Sequence, residues 1–439
     1  MRRRSDGKES RGSSPGGGAR RSDGRKACER SPGGKAKHSD GRAAKVAISG
    51  YYGYDNCGDE AVLLAIIESL RKLKPDIRIV VLSGNPEKTR ELYNVEAIGR
   101  WNPLSVLFAI LSCRLLISGG GSLLQDVTSS LSLRYYLTII RLAAIFGKRV
   151  MIYCQGMGPL LGAKNRKRVA KALDRCDIVS VRDSSSANLL AEIGIKREVH
   201  VFCDPVLAIG VSHTAGSARD GGDFAADSGA TSETVGAGRD LPLLVAVMRH
   251  WRNNEHITQV AAYLDLYIEH GWDVLLVPAH YSEDAKALLE ISALMKNTPR
   301  FIDKSLTAKE FIETISNADM VLSMRLHGLI CAYAIGIPII GISYDPKVSA
   351  FMEQVGLSDF CFRYDQFNSE IYETHTAAID AIAQHVGAQH VGAQHVGAQN
   401  IDERQIGEQF VNVPQHDEQR QEMRALVMAA AQEAITLLK

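Results

Sequence analysis

Two short motifs in the second half of the chain combine residue types that bind anions and transfer protons. The motif MRLHG places Arg325 and His327 two residues apart, so an extended backbone would direct both side chains to one side. The motif YDPKV adds Lys347 at the end of the next apolar run. Two fixed cations and an imidazole can bind an anion and supply a proton to it. The same pattern also fits two solvated cations and a histidine packed within its helix, and the pattern alone favours neither interpretation.

Four loops in the first half of the chain carry glycines and polar residues where α/β proteins place ligand-binding loops. The first, GYYGYDNCGDEAVL, combines turn-forming glycines with Asp59 or Glu60 at the start of a helix. The second, GGGSLLQD, contains Gly120 and Gly121, whose bare backbone can approach an anion at a helix N-terminus. The polar residues of the other two loops are Gln155, Arg182 and Asp183. Each loop alone is a weak signal, because α/β connections need glycines and polar caps in any case.

The segments between these loops predict the elements that position them. Short apolar runs alternate with helix-like patterns, which is typical of parallel α/β units. The predicted strands are Val46–Ser49, Ile79–Leu82, Leu115–Ser118, Val150–Tyr153, Ile178–Val181, Val199–Phe202, Leu243–Met248, Asp273–Pro278, Met320–Ser323 and Ile339–Ser343. The predicted fold class is therefore α/β, with two Rossmann-like doubly wound domains facing a cleft. Because parallel strands point their carboxyl ends at such a cleft, the loops are expected to meet there.

Composition and charge narrow the class of protein. With 51 Lys and Arg against 50 Asp and Glu, the net charge of +1 gives no overall attraction to nucleic acid. No apolar run reaches the roughly 18 residues of a membrane span. The eight cysteines form no CxxC pair, which predicts a reduced, cytoplasmic protein without a disulfide framework. No His, Cys, Asp and Glu cluster has metal-ligand spacing, so no metal is expected.

Three polar segments interrupt the α/β pattern. Residues 1–43 hold 13 basic and 5 acidic residues, which predicts a disordered tail that is either solvated or in contact with anionic phospholipid. A flexible, Gly-rich insertion is expected over 212–240, and a low-complexity insertion with three QHVGA repeats over 369–421. The histidines of these repeats would not share one helix face, which disfavours a metal site. The remaining segments are an N-terminal domain over 44–211, a C-terminal domain over 241–368 and a C-terminal helix over 422–439.

The order and composition of the motifs resemble those of a known family. Five segments resemble motifs of the polysaccharide pyruvyl transferases, and in particular of the CsaB-type enzymes of bacterial cell walls. These segments are GYYGYDNCGDEAVL, LLISGGGSLLQD, MIYCQGMGPL, IVSVRD and SMRLHGLICAYAIGIPIIGISYDPKV. The resemblance covers about residues 44–208 and 241–358. It implies the two-Rossmann glycosyltransferase B (GT-B) architecture. It also implies a transferase that moves the pyruvyl unit of phosphoenolpyruvate onto a sugar as a ketal and releases phosphate.

For the CsaB type, the resemblance implies a particular acceptor. This would be an N-acetylmannosamine of a secondary cell-wall polysaccharide, lipid-linked or polymeric, which receives a 4,6-ketal and serves S-layer anchoring. The resemblance implies no metal or other cofactor, with phosphoenolpyruvate as donor substrate. The enzyme would be cytoplasmic, with peripheral contact at the inner face of the cell membrane and no nucleic-acid partner.

The resemblance also implies roles for the residues named above. Phosphoenolpyruvate carries a phosphate and a carboxylate, and the candidate cations for binding it are Arg182, Arg325 and Lys347. Its methylene carbon must be protonated, and His327 is the candidate proton donor, with Arg325 and Lys347 as its catalytic partners. On the acceptor side, Asp59 or Glu60 would orient or deprotonate a hydroxyl. Further candidate acceptor contacts are Tyr52, Asn56, Gly120, Gly121 and Gln155.

Other functions fit parts of the pattern. A nucleotide-sugar glycosyltransferase of the GT-B type would use the same Gly-rich loop and basic residues to bind a diphosphate. A non-catalytic polysaccharide-binding protein would keep the fold but would not need the proton donor His327. A nicotinamide dehydrogenase is disfavoured, because Leu124 stands where the third glycine of GxGxxG would fall.

Overall fold

The computed structural model describes residues 45–127, 130–209, 241–373 and 413–438. The basic tail and the Gly-rich insertion predicted from the sequence, together with the QHVGA repeats, lie outside the described residues. The described residues belong to one compact unit. Within it the chain forms two parallel β-sheets with flanking helices, which confirms the predicted α/β class.

The first sheet contains seven parallel strands. They are β1 (Lys45–Tyr52), β2 (Arg78–Ser83), β3 (Glu96–Gly99), β4 (Leu115–Ser118), β5 (Arg149–Gln155), β6 (Ile178–Val181) and β7 (Val199–Val201). Their order across the sheet is β3-β2-β1-β4-β5-β6-β7. The helices of this domain are α1 (Cys57–Leu73), α2 (Pro86–Tyr93), α3 (Pro103–Ser112), α4 (Ser130–Ile145), α5 (Ala163–Leu173) and α6 (Ser184–Glu192), and a 3₁₀ turn follows at Pro205–Ala208. The order reverses between β1 and β4, where doubly wound folds open a crevice for ligands.

The second sheet repeats this arrangement with six parallel strands. They are β8 (Leu243–Val247), β9 (Asp273–Leu276), β10 (Arg300–Phe301), β11 (Met320–Ser323), β12 (Ile339–Ser343) and β13 (Cys361–Arg363). Their order is β10-β9-β8-β11-β12-β13, so the reversal lies between β8 and β11. The helices are α7 (His256–Glu269), α8 (Tyr281–Leu294), α9 (Ala308–Ser316), α10 (Leu326–Ala334) and α11 (Pro346–Gln354).

The predicted strands agree with this structure to within three residues at each end. Strands β4, β6, β11 and β12 have the predicted bounds. Strands β3, β10 and β13 are not among the predicted ones. All three are edge strands of two to four residues, too short to show an apolar run.

Two helices join the domains. At the start of α1, the backbone N–H of Cys57 donates to the carbonyl of Ala279 in the second domain at 2.8 Å. The C-terminal helix α12 (Val413–Thr436) packs on α1, and its Gln419 accepts a hydrogen bond from Tyr333 of α10 at 2.7 Å. This helix begins nine residues before the predicted 422, with Pro414 in its first turn, where proline suits a helix. Across the described part of the chain, every helix is too short or too polar to cross a bilayer.

Candidate active site

The candidate residues come from loops at the carboxyl ends of strands in both sheets. In the first domain, Asp59 follows β1, Gly121 follows β4, Arg182 follows β6 and Asp204 follows β7. In the second domain, His327 follows β11 and Lys347 follows β12. The two sets converge because helix α1 and the 3₁₀ turn at Pro205–Ala208, both of the first domain, pack against α10 of the second.

His327 of the second domain lies directly against the first domain. Its Nδ1 is so close to Gly58 that a Cβ added there would lie 2.4 Å away. Glycine at position 58 therefore provides the space that the imidazole occupies. On its other side, Nε2 of His327 lies 3.7 Å from Oδ2 of Asp204. The imidazole is thus held between the start of α1 and a buried carboxylate.

Asp204 links this histidine to a buried arginine. Its Oδ2 accepts a hydrogen bond from Nη1 of Arg182 at 2.9 Å, and its Oδ1 accepts one from the backbone N–H of Val206. Burial alone would raise the pKa of Asp204, but His327 and Arg182 hold that pKa at about 2. Asp204 is therefore an anion at neutral pH and a suitable ion-pair partner for a protonated imidazole.

Asp204 is a site residue that the sequence analysis does not identify. The sequence contains one signal for it, because Asp204 precedes a proline three residues after β7, much as Asp345 precedes a proline two residues after β12. In both places the aspartate accepts a hydrogen bond from a backbone N–H two residues later, which caps the following turn.

Arg182 is buried beneath the glycine-rich loops of the first domain. A Cβ at Gly156 would lie 2.7 Å from its Nη2, so this glycine gives the guanidinium its space. Nη2 also lies 3.4 Å from the hydroxyl of Ser122, in the loop after β4. Since Asp204 and Asp183 both pair with Arg182, much of its charge is compensated inside the protein.

The two candidate carboxylates at the start of α1 have different environments. Oδ1 of Asp59 faces Gly121, where a Cβ would lie 2.8 Å from it. Burial raises the pKa of Asp59, although His327, Lys347 and other nearby cations act in the opposite direction. Glu60 instead accepts hydrogen bonds from the backbone of Gly53 and the hydroxyl of Tyr93, both at 2.6 Å. Asp59 is therefore the carboxyl that lies within the cluster of cations, whereas Glu60 holds the loop after β1.

Arg325 is held by two carboxylates of helix α8. Its Nε lies 3.1 and 3.2 Å from the two oxygens of Asp284, Nη2 also bonds Asp284, and Nη2 lies 3.0 Å from Oε2 of Glu283. Burial opposes the charge, but Asp284 raises the pKa of Arg325 above its usual value. Among the described residues these bonds use Nε and Nη2, which leaves Nη1 for a ligand. Arg325 is thus a rigidly held cation.

Lys347 is the more accessible cation of the MRLHG and YDPKV motifs. It lies in the first turn of α11, with Nζ 3.5 Å from Oδ2 of Asp345 and 5.9 Å from the centre of the Tyr344 ring. Its charge acts on Asp59 across the domains, because it helps to lower the pKa of that carboxyl. Arg325, His327 and Lys347 therefore follow the neighbouring strands β11 and β12 at one end of the second sheet. His327 lies in the first turn of α10 and Arg325 is its N-cap, so the two residues do not share the extended backbone that the sequence suggests.

The acceptor candidates separate into buried and accessible side chains. Tyr52 and Gln155 are both 0% exposed, and Gln155 donates to Ser118 and to the carbonyl of Gly119. Asn56 accepts from the backbone of Gly58 as the N-cap of α1. Gly120 packs against Val62 of α1, since a Cβ there would lie 2.6 Å from that side chain. The structure does not bring Tyr52 or Gln155 to the surface of the cleft.

Tyr51, which is not among the predicted residues, is exposed at the end of β1, whereas the predicted Tyr52 is buried. It is 37% exposed and stacks on Tyr54 with ring centroids 4.4 Å apart. Burial and the nearby Asp59 raise the pKa of the Tyr51 hydroxyl. An aromatic face therefore lies beside Asp59. Within the described ranges, no three His, Cys, Asp or Glu side chains are arranged to hold a metal ion.

Comparison with known proteins identifies the class. The family model for polysaccharide pyruvyl transferase matches residues 56–346, about two thirds of the chain, so this protein belongs to that family. The matched interval includes Asp59, Arg182, Asp204, Arg325 and His327. None of the curated protein sequences that were compared matches the chain.

Solved structures show the same architecture at low sequence identity. S. aureus MnaA with UDP has 10% identity and a TM-score of 0.51, covering 78% of this chain and 90% of that one. Anabaena Alr3699/HepE with UDP-glucose has 14% identity and a TM-score of 0.50, covering 86% and 98%. A Listeria monocytogenes protein assigned as a UDP-N-acetylglucosamine 2-epimerase has 12% identity and a TM-score of 0.52, covering 84% and 92%. These similarities confirm the predicted two-domain Rossmann-like fold.

Proposed function

We propose that this enzyme transfers the pyruvyl unit of phosphoenolpyruvate to two hydroxyls of a sugar and releases phosphate. The acceptor we propose is an N-acetylmannosamine of a lipid-linked cell-wall glycan precursor, as in CsaB-type enzymes. The observation that carries the proposal is the position of His327, with Asp204 3.7 Å from Nε2 and Asp59 and Lys347 nearby. In this proposal His327 is the proton donor, Asp59 is the separate carboxyl and Lys347 is the accessible cation.

In the proposed reaction, the donor anion binds to the second domain. Lys347 and the Nη1 group of Arg325 contact its phosphate and carboxylate, while Arg182 holds Asp204 in place. Protonated His327 gives a proton to the methylene carbon, which becomes a methyl group and leaves positive charge on C2. The first sugar hydroxyl then forms a C–O bond to C2. Asp59, whose pKa is raised, accepts the proton of that hydroxyl.

The ketal forms in the second half of the reaction. The C2–O bond to phosphate breaks, and phosphate leaves with the electron pair. The second sugar hydroxyl then attacks C2 and loses its proton. Of the two hydroxyl protons, one balances the proton given to the methylene carbon and the other is released with phosphate. Tyr51 and Tyr54 offer a stacked aromatic face on which the sugar ring would lie.

A donor assay tests the proposal directly. Purified protein is incubated with phosphoenolpyruvate and a synthetic or lipid-linked acceptor that contains N-acetylmannosamine, and the products are examined by mass spectrometry and phosphate release. We expect an acceptor that gains one pyruvate less one water, with one phosphate released per ketal. The His327→Gln variant is the matched control. An unchanged acceptor in the presence of a folded, phosphoenolpyruvate-binding protein would contradict the proposed acceptor but not the donor.

A nucleotide-sugar glycosyltransferase is the second candidate, because two of the structural neighbours were solved with UDP or UDP-glucose. Their identity to this chain is only 10% and 14%, a level at which a shared fold does not carry over a ligand. The same assay with UDP-sugars in place of phosphoenolpyruvate separates the two. Release of UDP with a glycosylated acceptor would support this second candidate.

A further inference from the structure

Helix α3 has an outer face without charge. Its sequence, PLSVLFAILS, contains no charged residue, and its inner side chains Val106, Ala109 and Ile110 are buried in the first domain. On the opposite side, Leu104 is 79% exposed and Phe108 is 70% exposed, with Leu111 one turn further. The spacing of these three residues places them along one face of the helix. A surface helix normally carries polar residues there, so this apolar face is a candidate interaction surface.

Basic residues are frequent on the helices that follow the apolar face in the first domain. Residues 101–176, which include α3, α4 and α5, contain eleven Lys and Arg but only two acidic residues, whereas the whole chain has a net charge of +1. Two of these cations, Arg149 and Arg166, pair with Asp177 and Glu192 beyond this range. Lys148 binds the carbonyl of Leu111 at the end of α3 with 2.6 Å between the atoms. Helix α5 packs beside α4 and exposes Lys164, Lys167 and Lys171. Apolar side chains within a basic surface suit an anionic phospholipid surface.

The same face leads to the active site. Trp101, which precedes α3 and is 69% exposed, donates from Nε1 to the hydroxyl of Tyr54 at 3.0 Å. Tyr54 stacks on Tyr51, which lies beside Asp59. Contacts therefore connect Trp101 beside the apolar face with Tyr51, whose hydroxyl is close enough to the Asp59 carboxyl for its pKa to be raised by it. The apolar face thus lies on the side of the first domain that leads to the cleft.

We propose that the outer face of α3, defined by Trp101, Leu104, Phe108 and Leu111, docks this enzyme on an anionic phospholipid surface. A second copy of the chain would bring two basic surfaces together through this face, which charge repulsion opposes. The proposal goes beyond the transfer reaction and does not depend on it. It concerns a folded surface and not the predicted basic tail.

Vesicle binding tests the proposal with the full chain. Vesicles of phosphatidylcholine, alone or mixed with phosphatidylglycerol, are sedimented with the parent and with the double variant Leu104→Ser and Phe108→Ser. We expect the parent to prefer the anionic vesicles, and the double variant to bind them at least about tenfold more weakly. The matched control is Leu289→Ser with Leu294→Ser, which changes two exposed leucines of α8 in the second domain. The control should bind like the parent, because its two changed residues lie outside the proposed face. The basic tail is present in the parent and in every variant, so it does not account for a difference between them.

The contribution of charge is tested in the same way. Lys167→Glu with Lys171→Glu should weaken binding to anionic vesicles by about tenfold or more, and Lys286→Glu with Lys296→Glu serves as the charge-matched control. As a second measurement, brominated lipid should quench the fluorescence of Trp101, and Trp101→Phe should abolish that quenching.

Three outcomes would overturn the proposal. The first is a parent that binds anionic and neutral vesicles equally. The second is an equal loss of binding in the α3 and α8 variants. The third is a parent that sediments as a dimer without lipid while the Leu104 and Phe108 variant is a monomer, which would make this face an interface between two copies. Turnover on a soluble acceptor should be unchanged in the α3 variant, so failure of docking and failure of the proposed reaction are distinguishable.

Discussion

The Nε2 atom of His327 lies 3.7 Å from the Oδ2 atom of Asp204, and this contact crosses from the second domain to the first. Because Asp204 also accepts a hydrogen bond from Arg182, the three side chains form a line that reaches beneath the glycine-rich loops. The position of the proton donor therefore depends on both domains.

Replacing His327 with Gln should separate chemistry from binding. The cations remain, so the affinity for phosphoenolpyruvate should stay within about tenfold of the parent, while kcat falls by about 100- to 10,000-fold through loss of the general acid. Calorimetric titration with phosphoenolpyruvate and single-turnover kinetics give the two quantities. Normal turnover in this variant would remove His327 from the mechanism.

Replacing Asp204 with Asn should change stability in a pH-dependent way. The pKa of Asp204 is lowered from 3.8 to about 2 in the folded state, which corresponds to about 2 kcal/mol of stability. This contribution is present above the unfolded-state pKa and is lost as pH falls toward about 2. The free energy of unfolding of the variant should therefore be lower by at least about 2 kcal/mol at pH 7, and the difference should shrink below about pH 4. Urea titrations across this range measure it, and a constant difference at every pH would contradict the assignment.

The two cations of the second domain should respond differently to substitution with Ala. Removal of Lys347 should weaken phosphoenolpyruvate binding by about 1.5 to 3 kcal/mol, about 10- to 150-fold, with little loss of stability, because its side chain is partly exposed. Removal of Arg325 should weaken binding too, but it also leaves Asp284 buried without its partner, at a cost of about 3 to 5 kcal/mol in stability. Thermal unfolding measures the loss of stability and titration with phosphoenolpyruvate measures the loss of binding, so the two effects can be separated. Equal stability of the two variants would show that the Arg325–Asp284 pair is not structural.

Replacing Asp59 with Asn should remove the acid limb of the pH–rate profile. The raised pKa of Asp59 places this limb above the usual value for a free carboxyl, and kcat/KM of the parent should rise as Asp59 loses its proton. The variant should be slower by about 100-fold or more, with a flat profile across the same range. Glu60→Gln is the matched control, since Glu60 supports the loop after β1 and should leave the limb in place. An acid limb that persists in the Asp59 variant would assign it to another group.

Chelation should leave turnover unchanged, because the proposed steps use side chains of the chain alone. The measurement is phosphate release after exhaustive dialysis against EDTA. Loss of activity that a divalent cation restores would contradict this expectation.

The local pattern of the sequence determines the fold class and the positions of the candidate loops. Apolar runs of four to six residues predict buried parallel strands, and ten of the thirteen strands in the described part of the chain are found in this way. Parallel strands place their following loops at one edge of the sheet, so His327, Arg325 and Lys347 could be assigned to one region from order alone. The three edge strands escape the prediction because too few residues carry the pattern.

Only the tertiary structure decides which side chains meet. Tyr51 and Tyr52 are adjacent and of one type, yet one is exposed beside Asp59 and the other is buried, because successive side chains of a strand point to opposite faces. Which tyrosine faces the cleft depends on how β1 packs. Likewise, Asp204 meets His327, and Asp284 meets Arg325, from segments far apart in the chain. Residue types and local spacing describe each partner separately, but the distance between them is set by how the two sheets and helix α1 pack together.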